Sequence, residues 1–104
     1  MDEELLADRR TLRILGLIQT PHSAHEIAAV LGFGQADVYR RLRKLNANGF
    51  LLANRVRSQA TGRQVRMWVT TVSKVWITFW SGAPRMQVVQ RTEIAIELAQ
   101  ETRT

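Results

Sequence analysis

Cysteine is absent from the 104 residues. Disulfides, thiolate metal sites and a cysteine nucleophile are excluded together, and a cytoplasmic setting is expected. No apolar run reaches the ~18 residues of a membrane span. The chain opens Met1-Asp2-Glu3-Glu4, acidic where a secretory leader is basic, so neither membrane insertion nor export is expected. Internal repeats and low-complexity stretches are missing. Histidine occurs only as His22 and His25, three residues apart at a helix start and without further ligands, a pattern that suits capping or solvation better than metal binding. Glu26 and Asp37 do not make a credible acid–base pair, and no Ser-His-Asp grouping is recognisable. The chain therefore reads as a non-enzyme with no cofactor.

Acidic residues are scarce in one particular place. Residues 35–74 carry seven Arg and two Lys against Asp37 alone, a sum of +8, whereas residues 1–34 sum to −2 and residues 75–104 to zero. The net charge of +6 thus resides in a central block, as expected where a face meets a polyanion. Arginine outnumbers lysine thirteen to two, and its planar fork suits phosphates and guanine edges. The length allows one compact domain with a modest core, and 45% hydrophobic residues suffice to fill it.

Apolar periodicity places the elements. Leu5, Leu12, Leu15 and Ile18 recur at near-helical spacing over 3–19, with Leu6, Ile14 and Leu17 widening the apolar surface. Thr20-Pro21-His22 ends that helix. Ser23-Ala24-His25-Glu26 is a capping box opening a second helix, with Ile27, Val30 and Leu31 expected inward. Gly32-Phe33-Gly34 turns the chain into a third helix over 35–47, with Val38, Leu42 and Leu45 as its buried line and Gly49 at the left-handed position beyond its end. Residues 50–57 and 64–71 read as strands joined by the polar turn Ser58–Arg63. A further strand is expected over 75–80. Trp68, Trp76, Phe79 and Trp80 read as core or subunit interface more than as a ligand pocket. From Arg85 the signals conflict: Thr92–Glu101 favours helix by composition, while Ile94, Ile96 and Leu98 alternate like a strand; helix is the expectation.

The order is helix, short helix, tight turn, helix, hairpin. The third helix is basic apart from its apolar line, and a major groove admits one such helix with its N-terminal side chains at base edges. Gln35, Ala36, Tyr39 and Arg40 are the candidate base-reading residues. Arg43 and Lys44 suit phosphate; Arg41 suits either, or covers core with its stem. On the hairpin, Arg55, Arg57, Arg63 and Arg66 would straddle the backbone or enter the minor groove.

Residues 12–70 resemble the winged helix-turn-helix regulators of the ArsR and MarR kind, through Ser23-Ala24-His25-Glu26-Ile27-Ala28, Val38-Tyr39-Arg40-Arg41-Leu42-Arg43-Lys44-Leu45 and Asn48-Gly49-Phe50-Leu51. The resemblance implies an α+β fold, a three-helix unit with a β-hairpin wing, and sequence-specific binding of double-stranded DNA in transcription regulation. Metal-sensing members use cysteine or histidine–carboxylate clusters, which this chain lacks, and a strand over 72–80 departs from the long final helix of many members. The winged unit is placed at 1–74 and a dimerisation extension of the same domain at 75–104. Residues 5–18 are expected to pair with the C-terminal segment in a homodimer. The alternatives are an RNA-binding module and a winged-helix protein-interaction adaptor.

Overall fold

Apolar residues spaced for helices give way at Gly49 to apolar residues spaced for strands, and the backbone changes with them. The computed structural model describes residues 3–91. In these, α1 (Glu3–Leu6), α2 (Arg9–Leu17), α3 (Ala24–Leu31) and α4 (Gln35–Ala47) precede β1 (Leu51–Arg57), β2 (Gln64–Thr70), β3 (Val72–Trp80) and β4 (Ala83–Gln90). The strands form two separate antiparallel hairpins, β1–β2 and β3–β4. The architecture is α+β. Among the described residues no helix is long and apolar enough to cross a membrane.

The single helix expected over 3–19 is broken at Ala7-Asp8. Asp8 takes an extended conformation and its carbonyl accepts from Leu12 N–H at 3.0 Å, starting α2 afresh. Its carboxylate accepts from the Thr11 hydroxyl at 2.9 Å and pairs with Arg41 of α4. Aspartate favours such a start because its side chain competes for local donors. The buried stripe is also displaced: Thr11 is fully buried while Leu12 is 40% exposed. Likewise Val30, expected inward on α3, stands 63% exposed, and Ala24, Ile27 and Ala28 fill that side instead.

The α3 capping box forms on both sides: Glu26 N–H donates to Ser23 Oγ at 3.1 Å, and Ser23 N–H donates to Glu26 Oε1 at 3.0 Å. Val38, Leu42 and Leu45 of α4 are buried as expected. Gly49 has φ +77°, where a side chain would be strained, and the next N–H, that of Phe50, closes the helix end on Leu45 O at 3.0 Å.

Phe50 is the largest fully buried side chain among the described residues, at the point where helices meet strands. Its carbonyl accepts from Thr70 Oγ1 at 2.8 Å and from Thr71 N–H at 3.0 Å. The root of β2 is further bound to the helices, because His22 and Trp68 exchange backbone hydrogen bonds (3.0 and 2.8 Å) and Thr70 N–H donates to Ile18 O at 2.9 Å.

The chain from Arg85 to Gln90 is strand, against the helix expected there. It pairs with β3 through a two-residue turn, Ser81-Gly82, in which both residues have positive φ (55° and 79°), the geometry that matches strand twist. The conflicting segment Thr92–Glu101, with Ile94, Ile96 and Leu98, lies outside the described residues. A boundary after Lys74 would cut β3; the passage from β1–β2 to β3–β4 occurs at Thr71. Arg91 fastens the far end, its N–H donating to Thr71 O at 2.6 Å and its Nη1 to Gln19 O at 2.6 Å.

Leu5, Leu6, Ile14, Leu15 and Ile18 are all buried within the one chain, so much of the apolar surface expected on the first helix is covered, while Leu12 is exposed and Leu17 half-buried. Exposed apolar side chains are spread over α2, α3, β1 and the second hairpin, and on that hairpin Ile77 is 52% and Phe79 73% exposed.

Gly16, in the last turn of α2, is exposed and has open space where a Cβ would sit. Glycine in a helix is worth about 0.5–1 kcal/mol less than alanine. Gly16→Ala is expected to raise the melting temperature by several degrees in thermal denaturation; an unchanged or lower value would count against an unstrained α2.

Candidate nucleic-acid interface

The buried line of α4 leaves its remaining surface to polar side chains. Gln35, Ala36, Tyr39, Arg40, Arg43 and Lys44 are all exposed. Gln35 Nε2 lies 3.0 Å from His25 Nδ1, so the starts of α3 and α4 share one edge of this surface.

Strand register decides where the hairpin arginines point. Arg55 is directly opposite Arg66 and Arg57 opposite Gln64. Paired residues share a face and so do residues two apart, which puts Arg55, Arg57 and Arg66 on the face that also carries Trp68. The Arg66 guanidinium stands 5.5 Å from the Trp68 ring centroid. Arg63 is exposed in the turn, and Arg57 Nη1 donates to Gly62 O at 3.4 Å.

Between α4 and this hairpin runs an open groove of about 590 Å³. Tyr39 and Arg43 line it from α4, Gln64 and Arg66 from β2, and His25 from the start of α3, over a floor that includes Trp68. Arginine thus stands on both walls. Lys44, Arg55, Arg57 and Arg63 do not line the groove but remain exposed.

Arg41 does not belong with the others. Its side chain is only 14% exposed and is turned inward under α2. There it pairs with Asp8, donates through Nε to both Asp37 oxygens at 3.2 Å and through Nη1 to Thr11 Oγ1 at 3.1 Å. It closes the α2–α4 contact and satisfies the buried Thr11 hydroxyl. Asp37 also receives Arg40 Nη2 at 2.5 Å and Arg10 Nη1 at 3.2 Å. The hydrogen bond from Arg40, with Arg10 beside it, holds the Asp37 carboxyl below the usual carboxylate range, partly opposed by burial.

Arg10 and Arg13 were missed by sequence reasoning. Their guanidiniums lie 5.0 and 5.3 Å from the Phe33 ring centroid, beside the turn between α3 and α4, in cation–π geometry. Their i,i+3 spacing marks one helix face, but their charge is hidden in the acidic sum of the N-terminal third. His25, expected to be solvated or to cap, is exposed and stands on the groove.

No protein-family model matches the chain, and no curated protein is recognisably similar to it in sequence.

Because the folded-state pKa of Asp37 is depressed, its ion pairs add stability that is present above the unfolded carboxyl pKa of about 3.9 and is lost as pH falls through the lower folded value. Asp37→Asn is therefore expected to lower the melting temperature at pH 7 and to converge on the wild type towards pH 3. A deficit of equal size at both pH values would show that the charge of Asp37 is not what stabilises.

Proposed function

We propose that the chain is a winged helix-turn-helix protein that binds double-stranded DNA and regulates transcription. In this reading α4 enters the major groove and the β1–β2 hairpin is the wing on backbone or minor groove. One observation carries it: the groove between α4 and the hairpin has an arginine on each wall, Arg43 and Arg66, with Arg55, Arg57 and Arg63 continuing the basic surface outward along the hairpin. A phosphodiester strand passing between recognition helix and wing meets cations from both sides, while Gln35, Ala36, Tyr39 and Arg40 lie early on α4 where base edges are reached. Arg41, held inward, is not assigned a DNA contact. The absence of cysteine accords with a cytoplasmic regulator.

The regulator is proposed to act as a homodimer, with the contact on β3–β4 in place of the first helix. On that hairpin Val75/Val88, Ile77/Met86 and Phe79/Pro84 are opposed pairs on one face. Its base packs on the core, and Ile77 and Phe79 are left exposed. A two-stranded ribbon alone is marginal in water and gains from a covering layer. A second copy also supplies the second recognition helix of a palindromic site.

Salt-titrated binding to duplex DNA, structured RNA and no nucleic acid tests the first claim. The expected result is preference for duplex, with affinity falling steeply as salt rises. Arg63→Ala is expected to weaken all duplexes and to reduce the salt slope by about 0.9, the value for one phosphate contact, with the melting temperature unchanged. Preference for RNA, or no nucleic-acid binding, would overturn the reading in favour of an RNA module or a protein adaptor.

Sedimentation equilibrium at micromolar concentration tests the second claim. The wild type is expected to be dimeric and Phe79→Ser shifted to monomer; a monomeric wild type sinks the dimer.

A further inference from the structure

Asp37 is the only acidic residue between Glu26 and Glu93, and it stands on the first turn of the helix that carries the basic surface. Its carboxylate gathers three guanidiniums: Arg40 at 2.5 Å, Arg10 at 3.2 Å and Arg41 at 3.2 Å. These are not equivalent. Arg41 is 14% exposed and is held independently by Asp8 and Thr11. Arg10 and Arg40 are 56% and 52% exposed, and both reach Asp37 from the solvent side. Arg41 thus has Asp8 and Thr11 as partners besides Asp37, whereas Arg40 and Arg10, the latter also lying over the Phe33 ring, meet Asp37 with more than half of each side chain exposed.

We infer that Asp37 is a built-in stand-in for phosphate, which keeps Arg10 and Arg40 occupied until a cognate duplex displaces it, and so sets the selectivity of the surface. The inference rests on the duplex-binding reading above. An exposed ion pair is weak and screened by salt, so exchanging the carboxylate for a DNA phosphate is close to balanced. On a random duplex the exchange gains little. On a cognate site, base contacts from α4 tip it, and Arg40 is released towards the bound duplex. Selectivity is a difference between two affinities; a carboxylate that holds back the non-cognate one raises that difference without touching a base.

Three measurements test this on the full chain, using a random duplex and a duplex enriched from a randomised pool. Asp37→Asn is expected to tighten random-duplex binding roughly five- to tenfold at 0.1 M salt and to steepen the salt slope by about one per arginine released. The ratio between enriched and random duplex should shrink correspondingly. In the background of Arg10→Ala with Arg40→Ala, the gain from Asp37→Asn should vanish, since Asp37 acts through those two side chains. Nitrogen-detected arginine side-chain NMR on the wild type, which needs no substitution to fold, should show Arg10 and Arg40 perturbed by the enriched duplex and little changed by the random one.

Unchanged or weaker binding by a folded Asp37→Asn overturns the inference, as does a gain that persists in full without Arg10 and Arg40, which would be a bulk charge effect. Equal perturbation of both arginines by the two duplexes overturns it as well. A wild type that binds no duplex at all overturns the duplex reading itself and this inference with it, so the two failures are distinguishable.

Discussion

Backbone hydrogen bonds that leave the β1–β2 hairpin and enter the helical unit determine where everything else can stand. A two-stranded ribbon has an unpaired edge along each side, and β2 spends the root of one on the segment between α2 and α3, through His22 and Trp68, and on the end of α2, through Ile18 and Thr70. Phe50 O takes Thr70 and Thr71 from the other direction. Apart from the Thr70 hydroxyl, the hairpin is thereby oriented by backbone groups, and its outer side chains are free to be arginine. Trp68, buried at the root, fixes which face of the ribbon looks towards α4, and strand alternation then delivers Arg55, Arg57 and Arg66 to that face.

Charge is organised by the two carboxylates that face the basic block. Asp8 and Asp37 bracket Arg41 between α2 and α4. A half-buried arginine so paired avoids the cost of an unsatisfied buried cation, and it ties the first long helix to the candidate recognition helix. The same Asp37 faces outward to Arg10 and Arg40. One residue therefore contributes both to the packing of the helices and to the electrostatics of the surface.

The parts legible in the sequence are those decided within a few residues. The α3 capping box, the bounds of α4, its buried line, Gly49 and the first hairpin all follow from local spacing and turn chemistry. Contacts from distant sequence decided the rest. Asp8 breaks the first helix around a partner thirty-three positions away. Thr11 displaces Leu12 from the buried stripe because its hydroxyl is satisfied by Asp8 and Arg41. Arg41 looked eligible for the outer surface, although Asp37 four residues earlier was already the right distance for an ion pair. Residues 85–90 were carried into a helix by the Glu- and Ala-rich segment that follows them, when their pairing with β3 and the Ser81-Gly82 turn make them strand.

The two hairpins meet at a single residue. Thr70 closes β2, Val72 opens β3, and Val72 N–H donates to Thr70 Oγ1 at 3.0 Å across the junction. Thr71 O then holds Arg91, whose guanidinium reaches back to Gln19 O at the end of α2. With one residue between them, the two ribbons cannot be placed independently: the hydrogen bonds that seat the start of β3 and the end of β4 are made to the root of β2 and to the end of α2.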